Sequence, residues 1–100
     1  MLELDKTGIK QVVLDELISI AERYHIEKLI LFGSRARGDF RRTSDIDLAV
    51  SGGDFARFAL DVEEETSTLL KYDFVDLDRK VQEELLKSIE KEGVVIYEKI

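Results

Sequence analysis

Residues 28–50 read KLILF GSRARGDFRRTS DIDLAV, and the order of these pieces decides the fold. Lys28–Phe32 is a short apolar run ending in Gly33, the pattern of a buried strand. Residues 45–50 make a second strand, closed by Ser51, Gly52 and Gly53. Side chains two apart on a strand point to the same face, so Asp45 and Asp47 look into one site while Ile46 faces the core. Ser34 follows the first strand, whereas Asp45 and Asp47 begin the second. These groups meet only if the two strands run antiparallel.

Working outward, residues 9–24 carry Ile9, Val13, Leu17, Ile20 and Tyr24 at the spacing of one helix face. Residues 54–70 repeat the pattern with Phe55, Phe58, Val62, Thr66 and Leu69, and Asp54 is placed to cap the helix start. Residues 72–77 read as a third strand. Residues 81–92 form a last helix, with Val81, Leu85 and Ile89 on one face and Gly93 as its stop, and residues 94–97 close the chain as a fourth strand. Strands alternating with helices imply an α/β (α+β) domain, with helices packed on the sheet. Phe55 and Phe58 belong to the core, and Tyr24, Tyr72 and Tyr97 are half-buried anchors. His25 complements the dipole at the end of the first helix. The Glu63-Glu64-Glu65 run is a solvated helix face.

At 100 residues the chain is expected to be one domain over residues 1–100. Its 44% hydrophobic and 37% charged residues describe a globular chain, not a disordered one. No apolar run approaches the ~20 residues of a membrane span. The opening residues 1–6 lack the pattern of a signal peptide. No cysteine is present, so neither a disulfide framework nor a thiolate zinc site arises, and the cytoplasm is the expected location. The net charge of −7 argues against a general nucleic-acid binder. Acidic residues dominate 61–65 and 83–92. The basic cluster is Arg35, Arg37, Arg41 and Arg42, suited to a small anionic ligand.

Two features carry chemistry. Gly33 lets a ligand approach the backbone where the first strand ends. Ser34 can cap the short segment that follows and offer its hydroxyl to a phosphate near free N–H groups. Asp45 and Asp47, if ~4 Å apart, repel by about 4 kcal/mol at an effective dielectric near 20. Hard oxygen ligands facing together suit Mg²⁺, which binds through one or two carboxylates plus substrate phosphates. Taken singly, each feature is also an ordinary turn or strand end. Gly33-Ser34, ten residues, then Asp45-Ile46-Asp47 is far more specific.

That spacing matches the signature of the DNA polymerase β-like nucleotidyltransferase superfamily. Residues 31–38 (LFGSRARG) and 43–50 (TSDIDLAV) strongly resemble its minimal nucleotidyltransferases (MNT proteins), and residues 93–98 (GVVIYE) are similar to their closing strand. The resemblance implies a mixed sheet and two-metal phosphoryl transfer from ATP. Asp45 and Asp47 would hold Mg²⁺ against the triphosphate, and Gly33 and Ser34 would hold the terminal phosphates. Arg35 and Arg37 would either neutralise phosphate or be surface arginines, one of them in a structural pair. A third carboxylate on a later strand is also implied, with Asp73, Asp76 and Asp78 as the choices. Asp73 lies near its strand's N-terminal end, as Asp45 and Asp47 do, and matches the family's pattern. It joins the site if the third strand runs parallel to the second, and it would share the second metal and help deprotonate the acceptor.

Larger relatives carry a helical acceptor-binding domain for which this length leaves no room. Minimal nucleotidyltransferases are paired instead with a small helical HEPN protein, an RNase toxin to which the nucleotidyltransferase adds AMP as antitoxin. Acidic helices would suit a basic partner face. The alternatives are a small-molecule nucleotidyltransferase completed by a separate helical subunit, and a non-catalytic module that binds nucleotide or neutralises a partner. Self-association is left open.

Overall fold

The structure, a computed structural model, describes residues 4–100; the opening residues 1–3, part of the stretch read for a signal-peptide pattern, lie outside the described residues. After a short 3-10 turn at Leu4–Lys6 the chain forms α1 (Gln11–Arg23), β1 (Lys28–Phe32), α2 (Ser34–Arg37), β2 (Ile46–Ser51), α3 (Phe55–Glu65), β3 (Tyr72–Asp76), α4 (Glu83–Glu92) and β4 (Val94–Glu98). The four strands make one sheet in the order β3-β2-β1-β4. β1 pairs antiparallel with both β2 and β4, whereas β2 and β3 run parallel. The expected mixed sheet is therefore present. Among the described residues no helix is long and apolar enough to cross a membrane.

Strand alternation sorts the sheet's two faces. Leu29 and Leu31 of β1, with Ile46, Leu48 and Val50 of β2, pack with α1 and α3 residues such as Val13, Leu17, Phe58 and Val62 in the main core. Phe32 and Ala49 point the other way and meet Ile89 of α4, with Ile30, Val75 and Leu85 around them. Phe55 and Phe58 meet Phe74 edge-on, both with ring centroids 6.3 Å away, so this pair belongs to the core as expected.

Helix ends depart from simple periodicity. Asp54 caps α3, accepting a hydrogen bond from the Arg57 N–H at 3.2 Å. The helix stops at Glu65, however, and Leu69, expected on its apolar face, is fully exposed. The reason is local: the Thr66 hydroxyl donates to the Val62 carbonyl at 2.7 Å and pairs with the Tyr72 hydroxyl at 2.8 Å, turning the chain toward β3. α4 begins at Glu83, so Val81 precedes the helix instead of sharing its face. Gly93 ends α4 with an ordinary φ of −63°; a Cβ there would lie on the Ile89 carbonyl and 2.6 Å from Ile30 Cγ2. It is needed for the close approach of α4 to β1. His25, at φ 57°, makes the left-handed turn after α1.

Candidate active site

The β1–α2 turn and the N-terminal ends of β2 and β3 converge. Phe32 is opposite Asp47 across the antiparallel pair, and Asp47 is the register partner of Asp73 across the parallel one. Asp47 and Asp73 share the α4 face of the sheet, with Gly33 directly after Phe32. Asp45 precedes β2 with the same parity as Asp47. Asp76 lies one step off that parity: its carboxylate accepts from the Asp78 N–H at 3.0 Å and pairs with Arg79 at 3.6 Å. Asp78 accepts from the Gly52 N–H at 2.7 Å and clamps the turn after β2. Of the three candidates for a later carboxylate, Asp73 alone stands beside Asp47.

Electrostatics tie these groups together. The half-buried Asp47 carboxyl is pushed up to about 6, first by burial, then by the charges of Asp73 and Asp45; Arg37 and Arg35 pull it back. Among the described residues no three acidic, imidazole or thiol side chains are already gathered into a metal cage. The donor chemistry nonetheless fits a hard divalent cation: Asp47 and Asp73 are register partners, Asp45 shares the parity of Asp47, and the charges of Asp73 and Asp45 both reach Asp47. Mg²⁺ keeps open positions for phosphate oxygens and water, so a closed protein cage is not required.

Gly33 has φ 76° and ψ −158°, a backbone region accessible essentially to glycine alone. A Cβ there would sit on Asp47 Oδ2 and 3.0 Å from Asp47 Cγ, so the turn and the carboxylate are packed against each other. Ser34 is the first residue of α2, not its cap; Gly33 takes the cap position. The Ser34 hydroxyl makes no hydrogen bond among the described residues, and the first N–H groups of the turn have no partner within it.

The expectation that Arg35 meets phosphate is corrected. Arg35 is 1% exposed, and its guanidinium donates to the carbonyls of Thr7 (3.0 Å), Ser44 (3.1 Å), Arg42 (3.2 Å) and Arg41 (3.5 Å). It also lies over the Phe40 ring at 4.8 Å. Burial lowers its pKa from the usual arginine value, partly offset by Asp47. Arg35 is thus the internal clamp of the loop that delivers Asp45, and not the surface arginine of the other expectation. The sequence signal was faint: an arginine beside a glycine turn reads as a phosphate ligand until its burial is known. Arg37 remains accessible, ion-paired to Glu92 at 3.0 Å and Asp39 at 3.2 Å, and its charge reaches Asp47.

A mixed sheet of this order, with a Gly-Ser turn packed against Asp47 and with Asp73 beside Asp47 on the parallel strand, is the frame of a nucleotidyltransferase. Residues 15–100 match the polymerase beta nucleotidyltransferase family; the chain belongs to it and is an enzyme of nucleotidyl transfer. Over 84 residues it is 34% identical to a protein of Methanocaldococcus jannaschii provisionally named a protein adenylyltransferase, covering 75% of this chain and 82% of that one. The fold is similar to a crystal structure of a toxin–antitoxin with AMP-PNP (TM-score 0.70, 22% identity, 86% of this chain and 73% of that one). It is also similar to a toxin–antitoxin MntA–HpeT mutant (TM-score 0.68, 20% identity, again 86% and 73%).

Proposed function

We propose that this domain transfers AMP from Mg·ATP to a hydroxyl of a partner protein, in the manner of the antitoxin of a toxin–antitoxin pair with a small helical HEPN-type toxin. The observation that carries the reading is the register Phe32–Asp47–Asp73, by which one end of the sheet holds the Gly-Ser turn and paired carboxylates side by side. The adenylyltransferase name of the archaeal relative and the toxin–antitoxin nature of the structural neighbours support the acceptor class. In the transfer the acceptor oxygen bonds to the α-phosphorus while the bond from that phosphorus to the α–β bridging oxygen breaks. Pyrophosphate leaves, and the hydroxyl proton passes to Asp73. Asp45 and Asp47 would hold a first Mg²⁺ and Asp73 would share a second. Bound Mg²⁺ offsets the charge of the phosphate oxygens and of the departing pyrophosphate. Gly33 and Ser34 receive the terminal phosphates, and Arg37 can exchange Glu92 for phosphate. Most of the rate comes from holding the acceptor in line.

The test is co-expression with a small helical HEPN-type protein and mass measurement of both chains. One or more added AMP units on the partner, lost in Asp45→Asn, supports the proposal. An unmodified partner beside turnover of a small-molecule acceptor overturns it.

Two predictions arise at this site. Calorimetry with ATP is expected to show binding with Mg²⁺ and at least roughly tenfold weaker binding with EDTA, because unneutralised carboxylates repel the triphosphate. Equal affinity in both would remove the metal role. Asp73→Asn is expected to lower transfer by about a hundredfold, as general-base losses do, against less than about twofold for Asp76→Asn. The reverse order in steady-state rates would mean that Asp76, not Asp73, serves the acceptor.

A further inference from the structure

A sizeable hollow lies outside the carboxylate site. It is a cleft of about 850 Å³ between the start of α1, the loop before β2 and the segment joining α3 to β3. Ile9, Phe40, Leu69 and Leu70 give it an apolar lining, and Lys10 and Arg42 a basic rim. A neighbouring hollow of about 430 Å³ shares Leu69 and Leu70 and reaches Lys71 and Asp45. The two together run from the apolar cleft to the edge of the catalytic carboxylates.

Three observations make this more than a crease. Leu69 holds its whole side chain in solvent, although a leucine gains on the order of 2 kcal/mol from burial. Among the described residues no carboxylate lines the larger cleft, in a chain of net charge −7. Lys10, Arg42 and Lys71 join no ion pair among the described residues, while Arg23, Arg37, Arg57 and Arg79 all do. Lys10 and Arg42 on the larger cleft and Lys71 on the smaller hollow therefore have charge to offer a ligand, although Asp45 borders the smaller hollow and Glu16 is held by Ser67 at the edge of the larger. Position adds function. The segment bearing Leu69 leads straight into β3, whose second residue is Asp73, the carboxylate assigned to the acceptor hydroxyl.

We infer that this cleft docks the acceptor, as a peptide segment that seats one bulky apolar side chain against Leu69 and Phe40 and sets acidic side chains against Lys10, Arg42 and Lys71. The inference rests on the protein-acceptor reading above and names the chemistry that selects the segment. Rim charges of this kind set choice of partner and speed of encounter, and the apolar seat supplies the hold. A nucleic-acid strand needs a continuous basic track, which three cations on two adjoining hollows do not make.

The experiment uses the whole chain with Mg²⁺ and ATP and two fluorescent tyrosine peptides. Both contain leucine, and they differ only in having glutamates or lysines as flanking residues. Anisotropy reads binding without chemistry, and mass reads AMP addition. The glutamate peptide is expected to bind roughly tenfold more tightly than the lysine peptide. Leu69→Asp is expected to weaken its binding by at least about tenfold, and Arg42→Glu to abolish the preference. Both side chains are exposed, so the fold stays as in the parent, and Mg·ATP affinity is measured for each variant beside peptide binding. Equal binding of the two peptides, or unchanged binding in Leu69→Asp, overturns the assignment. Displacement of the glutamate peptide by a short single-stranded oligonucleotide also overturns it and gives the cleft to nucleic acid. Selective binding with no AMP on any protein would instead sink the transfer reading and leave the cleft assignment standing.

Discussion

Asp47→Asn is expected to abolish nucleotidyl transfer and at the same time to raise the melting temperature of the ligand-free protein. Loss of activity follows from position: Asp47 stands between Asp45 and Asp73 in the carboxylate set, so its amide removes a charge from any shared cation. A fall of roughly two to three orders of magnitude in rate is expected, in the range of losing one preorganised electrostatic group. The gain in stability follows from the same crowding. Asp47 is pushed up to about 6 from an ordinary value of 3.8 by burial and by Asp73 and Asp45. For a fully buried group that shift corresponds to ~3 kcal/mol of destabilisation at neutral pH, and solvent screening of the half-buried carboxyl reduces it to about 1 kcal/mol.

The sign is set by linkage. Between pH 6 and 4 the folded state binds the Asp47 proton more tightly than the unfolded state, so stability falls as pH rises through that window. Above it the destabilisation is fully present. Asp47→Asn removes this dependence and is expected to melt a few degrees higher at pH 7, about what ~1 kcal/mol gives in a domain of this size. Calorimetric melting of both proteins from pH 4 to 8 checks it. A large drop in melting temperature would show that Asp47 is structural.

Gly33→Ala is the second substitution with a large expected effect, and it acts on the same carboxylate from behind. The backbone at Gly33 is in a region that costs other residues about 1–3 kcal/mol. The new methyl would also occupy the space of Asp47 Oδ2, so either the turn or the carboxylate must move. Nucleotide affinity and transfer rate are expected to fall together, each by at least about tenfold, because positioning errors near 1 Å in such sites cost up to a hundredfold. Thermal stability is expected to drop as well, opposite to Asp47→Asn. In Gly33→Ala/Asp47→Asn the clash remains, so activity is not restored. Wild-type activity and nucleotide affinity in Gly33→Ala would mean that the turn does not set the carboxylate's position.

Sequence by itself determined a good deal here. The apolar run before Gly33, the alternation in residues 45–50 and the Asp54 cap were all legible, since each depends on neighbours a few residues away. Parity alone put Asp45 and Asp47 on one face. The spacing from Gly33-Ser34 to the aspartate pair identified the family. Tertiary structure decided what depends on distant partners. Asp73 joins Asp47 through the parallel register of β2 with β3, which no local pattern specifies. Arg35 looked like a phosphate ligand because its neighbours in sequence suggested one; burial against Thr7, Phe40 and the loop carbonyls made it a clamp. Leu69 kept helical register in the sequence, but the Thr66 and Tyr72 hydroxyls meet across the turn and end α3 first. Net charge described the chain as acidic in total. Folding ties Asp61 and Glu65 to Arg23 and Glu92 to Arg37, and it sets Lys10 and Arg42 on an apolar cleft and Lys71 on the hollow beside it. Composition is a sum over the chain, whereas a surface is made by whichever residues the fold brings together.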